Sequence, residues 1–240
     1  MKNIMFFFVL FCPLKVSSQV SFITENDSYC IWQPGVKLTF EMFKKTIPDT
    51  AEIRVMKNDN RQLLPYLGFW KILDVPKKKT GWKKGQIEKG YLCAAFSKDQ
   101  SCISARDTFD LKCAQLQWDA LELGTRSCRK HLDSLRIKFD TNATKTDNFL
   151  SVFFMTAYGV GKDFYNMLSY NILHEVVLPR NHEKYLEYRC LIDELLDETS
   201  QYATTQEEAT RLLERKPLEP YLKEAKQLVG DLRGGASPPK

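Results

Sequence analysis

The sequence predicts an α+β fold: a mixed sheet packed on a long central helix, with additional C-terminal helices. Three observations point there. Short apolar or alternating runs bounded by turn residues recur as far as residue 96. From Thr108 the apolar residues Cys113, Leu116, Ala120 and Leu123 recur at helical spacing and form one stripe. Beyond residue 164 the pattern is amphipathic and helical. With 240 residues, 43% hydrophobic and 12% aromatic, the chain can build one domain with a real core. The 35 Lys and Arg nearly balance 30 Asp and Glu, and a net charge of +5 gives no case for nucleic acid as a partner.

Residues 1–18 read as an export signal. Lys2 supplies the positive start, residues 4–14 the apolar run, and Val16-Ser17-Ser18 the compact residues before a cut ahead of Gln19. A membrane span needs roughly 20 apolar residues, so this run is too short for one. The alternative is a buried N-terminal strand or helix. An export signal implies a periplasmic or secreted protein, and no other segment suggests a transmembrane anchor. A main domain is expected over residues 19–200, followed by a charged helical extension over 201–240 with a frayed end.

Strands are expected at residues 20–24, 36–43, 52–56, 69–75 and 91–96, with turns at Pro34-Gly35 and Asn58-Asp59-Asn60. Residues 76–85 hold five lysines around Trp82 and read as a solvated loop. Asp107 or Thr108 caps the next helix, and Asp110 suits the positive end of its dipole. Gly124 either ends this helix or sits inside a longer one at a cost of about 1 kcal/mol. Residues 126–135 are helical either way. Residues 135–139 and 149–155 read as strands. Helices follow at 164–178 and 183–198, and a helical tail at 204–232 is broken near Pro217 and Pro220.

Removing the signal leaves Cys30, Cys93, Cys102, Cys113, Cys128 and Cys190, an even number that permits disulfides without fixing their pairing. Cys93 and Cys102 are close enough to bridge a hairpin. Cys113 and Cys128 on one helix would stand roughly 22 Å apart, too far to pair. Asn26-Asp27-Ser28 and Asn142-Ala143-Thr144 match the glycosylation triplet. One reading of these features is a disulfide-stapled secreted glycoprotein.

Two segments carry a resemblance. Tyr29-Cys30-Ile31-Trp32 is followed by Lys37-Leu38-Thr39-Phe40-Glu41-Met42-Phe43. Ala94-Ala95-Phe96 and Ser101 then precede Cys113-Ala114-Gln115-Leu116-Gln117-Trp118-Asp119-Ala120-Leu121-Glu122, with Arg126 and Arg129 beyond. In this order the segments resemble the predicted secreted zinc-dependent proteases of Bacteroidota (domain of unknown function 922), a zincin-like group. Their helix reads His-Glu-Gln-x-His-Phe-Asp-x-x-Glu. Gln115, Trp118, Asp119 and Glu122 agree with that pattern in identity or type. Cys113 and Gln117 fall on the two histidine ligands and Ala114 on the glutamate base.

The resemblance implies a zincin-like scaffold whose catalytic set is degenerate. Histidines four apart share one helical face and can hold zinc, and the glutamate takes a proton from zinc-bound water. Ala114 cannot accept a proton and Gln117 is a poor ligand. The expectation is a catalytically inactive pseudopeptidase, with no cofactor, that binds a peptide, protein or envelope component. An exposed edge strand beside the former cleft is a natural peptide site. The rival is an active hydrolase with an atypical site in which Cys113, Glu122 and His131 cluster, with zinc or a reactive thiol. A purely structural reading also accounts for the helix: Cys113 is a small buried hydrophobe, Leu116, Ala120 and Leu123 are core, and Asp119 and Glu122 pair with Arg126.

Other chemistry is sparse. His174-Glu175 and His182-Glu183 lack a second ligand, since Leu178 and Leu186 stand there. His131 suits a surface or capping role. Gly159-Val160-Gly161-Lys162 lacks the spacing of a phosphate loop and reads as a connection. Asp193, Glu194, Asp197 and Glu198 read as a solvated helix face.

Overall fold

The computed structural model describes residues 23–47, 60–78, 88–139 and 150–225. The export signal, the strand at 52–56, Trp82 with the lysines at 79, 83 and 84, the sequon at Asn142 and the chain after 225 lie outside these residues. The elements run β1 (Tyr29–Ile31), β2 (Lys45–Thr46), β3 (Leu63–Leu64), β4 (Leu67–Pro76), β5 (Lys89–Ser97), β6 (Cys102–Ile103), α1 (Thr108–Phe139), α2 (Leu150–Asn171), α3 (His182–Glu198), α4 (Gln206–Glu214) and β7 (Leu222–Glu224). The fold is α+β with a long central helix, as expected.

The main sheet has the order β1-β5-β4-β7 and every pairing in it is antiparallel. The mixed pairing lies in a second, small sheet, β2-β6-β3, where β2 runs parallel to β6. Alternation along β4 and β5 divides the side chains between two faces. Ala94 and Phe96 meet Ala114, Trp118 and Leu121 of α1, and Leu92 meets Cys128 of α1 with Phe154 and Ala157 of α2. Trp70, Ile72, Tyr91 and Cys93 turn the other way, onto Ala209 and Leu212 of α4. The sheet is therefore sandwiched, with α1 and α2 on one face and α4 on the other. The third helix, α3, packs on the far side of α1 through Ile192.

Asp107 caps α1, its carboxylate accepting from the N–H groups of Phe109 (2.9 Å) and Asp110 (3.0 Å). The helix then runs through Gly124. A Cβ there would stand 2.8 Å from the Gly161 carbonyl, and a Cβ on Gly161 would stand 2.3 Å from the Gly124 carbonyl. Gly124 is thus the contact point of two helices rather than a stop, and Gly161-Lys162 lies inside α2 rather than in a connection.

Several expected strands are corrected. Residues 135–139 extend α1, because adding turns to an existing helix avoids a new nucleus. Residues 150–155 open α2; a short apolar run does not separate strand from buried helix, and Phe154, Ala157 and Gly161 recur at helical spacing toward α1. Residues 36–43 form a loop ending in a 3-10 turn, Phe40–Met42. There the Leu38 N–H donates to the Gln115 side chain (2.9 Å) instead of to a strand. The helix expected to Leu178 closes α2 with a π turn, Ile172–Val177.

Among the described residues the tail is α-helical over α4, which a Thr205–Glu208 capping box starts and a left-handed Arg215 ends. Beyond it β7 joins the edge of β4. The Asp74–Arg211 pair ties α4 to β4 with two contacts of 2.7 Å, both residues fully buried. Among the described residues no helix is long and apolar enough to cross a membrane.

Candidate functional site

The residues singled out on α1 divide between its faces. Cys113 packs with Phe109, Leu116, Leu168 and Ile172, and burial pushes its thiol up to about 12. Ala114 is buried on the sheet side beside Cys30 and Trp118. Gln117 is also buried. Asp119 accepts from Trp32 Nε1 (2.7 Å), Gln115 Nε2 (2.9 Å) and Arg189 Nη1 (2.5 Å). Its cationic partner is Arg189 of α3, not Arg126 as the helical spacing suggested.

Glu122 is fully buried and fully engaged. Arg126 Nε donates to it at 3.0 Å, and Thr204 donates its N–H (2.9 Å) and its hydroxyl (2.8 Å). Burial pushes its carboxyl up, against the pull of Arg129 and Arg126. Arg129 spans from Glu208 (3.0 Å) to the carbonyls of Tyr202 and Leu92. Burial opposes its charge, yet Glu208 and Glu122 hold its pKa above the ordinary value. The Leu92 carbonyl lies on the β1 side of β5, two residues past Ala94, whose carbonyl takes the Trp32 N–H. Arg129 therefore fills the place where a longer β1 would continue.

The same helix defeats the Cys113–Glu122–His131 cluster. Nine residues at 100° each place Cys113 and Glu122 on opposite faces, about 13 Å apart along the axis, and Glu122 and His131 likewise. The residues present do not fit a zinc ion. The Cys113 thiol is locked in its neutral form inside an apolar cluster, Ala114 has no acceptor, and the Glu122 oxygens already hold three donors. Among the described residues no three His, Cys, Asp or Glu come together as a metal site. His182 stacks on Phe109 (4.2 Å) and His174 on Tyr170 (4.3 Å). All six cysteines are free thiols, Cys93 buried against α4 and Cys102 in the small sheet, so the hairpin bridge does not form.

The outer side of the edge strand β1 is partly covered. On the outer side of β1 the Ile31 N–H donates to Thr24 (2.8 Å) and Glu25 bridges Cys30. What opens instead is a groove between the loop at 33–38 and α3. Its larger part, about 380 Å³, has Asp119 and Arg126 at its floor and Arg189, Asp193 and Asp197 along α3. A second part, about 310 Å³, adjoins it across Lys37 and Arg189 and reaches Leu38, Lys112 and Tyr185.

Three arginine contacts hold the groove's helical side. Arg180 donates to Asp110 (2.7 Å), Arg189 to Asp119 (2.5 Å), and Arg126 to the Leu196 carbonyl. Each joins residues 70 apart in sequence. A constant offset means that α1 and α3 run parallel, so their charged rungs stay in step along the groove. Arg189 also grips Asp193 with both nitrogens (3.0 and 2.5 Å), and Arg126 lies 5.1 Å from the Trp32 ring. Sequence reasoning missed Arg180 and Arg189, since their partners lie on another helix and leave no local signal.

Set against family models, curated proteins and solved structures, the chain matches none of them.

Proposed function

We propose that this chain is an exported pseudopeptidase, a zincin-like relative of secreted zinc peptidases that has no catalytic role and binds a peptide or protein ligand. The binding site is the groove between α1 and α3. One observation carries this reading: on α1, the residues at the metal positions are committed to packing and ion pairing, while the flank beside them opens into a groove. Cys113 and Ala114 are core, and Glu122 accepts from Arg126 and twice from Thr204. Asp119 and Arg126 reach the groove floor. Groove walls of mixed charge over an apolar and aromatic base suit a peptide better than a nucleic acid. On this reading no metal or cofactor takes part.

Two measurements test it. Peptide phage display on the immobilised protein should enrich sequences that a Ser200→Trp variant, with the exposed groove rim filled, no longer retains. Absence of any enrichment overturns the binding role. Elemental analysis after mild chelation and zinc re-addition should find no stoichiometric zinc. One tightly held zinc per chain overturns the non-catalytic role.

A further inference from the structure

The charges along the groove are not all used internally. Asp119, Arg126, Arg189 and Asp193 satisfy one another or nearby groups. Lys37, Lys112 and Asp197 line the groove, are exposed, and form no ion pair among the described residues. They are not scattered. Lys37 and Lys112 flank the part floored by Leu38 and Tyr185; Lys37 also borders the other part, where Asp197 stands near Ser200. Lys112 therefore stands toward one end of the groove and Asp197 toward the other, with Lys37 at the junction beside Arg189 and its two carboxylate partners.

Its length follows from the helix. Tyr185 and Asp197 are twelve residues apart on α3, roughly 18 Å at 1.5 Å per residue. An extended chain rises about 3.3 Å per residue, so about five or six residues span that distance.

Resting on the peptide-binding role proposed above, we infer that the groove takes an extended segment of five or six residues with a carboxylate at one end, between Lys37 and Lys112, and a cationic group at the other, at Asp197. The carboxylate belongs either to an acidic side chain or to a C-terminus. The middle residues are apolar and pass the Arg189–Asp193 pair, whose hydrogen-bonding groups already hold each other.

The test uses the purified full chain and fluorescein-labelled hexapeptides with one common apolar middle. The first has capped termini with Arg at one end and Glu at the other. The second is capped with Gln at both ends. The third has Arg at its start and a free C-terminus after a neutral residue. The first should bind at least about fivefold tighter than the second, with the margin shrinking as salt rises, because exposed pairs are weak singly and screened. A Lys37→Glu, Lys112→Glu double variant should erase that preference. Both lysines are exposed and unpaired, so circular dichroism should show an unchanged fold. If the third peptide equals the first, a C-terminal carboxylate is the anchor; if it binds more weakly, an acidic side chain is. Equal binding of the first two peptides, abolished by Ser200→Trp, overturns this inference and leaves the peptide-binding role standing. No binding of any peptide overturns both.

Discussion

Glu122→Ala separates a structural carboxylate from a catalytic one. In a working site, removing a catalytic acid or ligand costs little stability and often relieves strain. Here Glu122 is 0% exposed and accepts from Arg126 and twice from Thr204. Its removal leaves the Arg126 guanidinium, 2% exposed, without its counter-charge. It also removes the acceptor of the Thr204 N–H. Breaking a buried pair by deleting one partner costs about 3–5 kcal/mol, a large share of the roughly 5–15 kcal/mol that holds a domain together. At about 2–4 °C per kcal/mol for a domain of this size, the melting temperature should fall by about 6–20 °C. Glu122→Gln keeps acceptors for Arg126 and Thr204 and should cost less, about 1–3 kcal/mol. Urea unfolding followed by tryptophan fluorescence and circular dichroism reads both. An alanine variant within 1 kcal/mol of wild type would refute the structural assignment and reopen Glu122 as a functional group.

Gly161→Ala and Gly159→Ala should move stability in opposite directions although the residues are neighbours on α2. A Cβ at 161 would meet the Gly124 carbonyl at 2.3 Å, so overpacking of about 1–3 kcal/mol should dominate, whereas a Cβ at 159 meets nothing within 4 Å and should stabilise by up to about 1 kcal/mol; equal thermal shifts would refute the helix crossing. Asp74→Ala leaves the buried Arg211 with Glu224 alone and should cost up to about 3–5 kcal/mol, whereas Asp74→Leu with Arg211→Met should be near neutral; a double variant as unstable as the single one would show that packing, not charge, is at stake. Stability should also fall in alkali. Burial holds the thiols of Cys30, Cys113 and Cys128 at about 12, against about 8.5 when unfolded. The unfolded chain then sheds protons that the folded chain keeps, so stability present below pH 8.5 is lost as pH rises toward 12. With about 1.4 kcal/mol per thiol per pH unit, three thiols give a slope of roughly 4 kcal/mol. Urea midpoints at pH 8 and pH 10 check the sign.

Local signals were legible in the sequence and distant ones were not. The start of α1 was readable because its cap, Asp107, and its apolar stripe lie within a few residues. The strands at 69–75 and 91–96 fall inside β4 and β5, since alternation over a two-faced sheet is a local pattern. Gly124 stayed ambiguous because the reason for glycine there is a carbonyl on another helix. Residues 36–43 misled because their apolar side chains do enter the core, through Leu38 and Phe43, while the backbone bonds a side chain of α1. The acidic face of α3 was half readable. Asp193 pairs with Arg189 and Asp197 lines the groove, while Glu194 and Glu198 are exposed.

The two acidic residues of the resembling helix bear on the binding role proposed above. A catalytic carboxylate must keep an oxygen free for a proton or a metal. Asp119 and Glu122 each accept three hydrogen bonds from protein donors, with both oxygens of each carboxylate engaged. What those bonds achieve is order. Asp119 fixes Arg189, Arg189 fixes Asp193, and the wall that a ligand meets is already in place. A ligand that enters a preset wall avoids the cost of ordering side chains, about 0.5–1.5 kcal/mol for each long one. The bonds that engage Asp119 and Glu122 are thus the same ones that fix Arg189 and Arg126 along the groove.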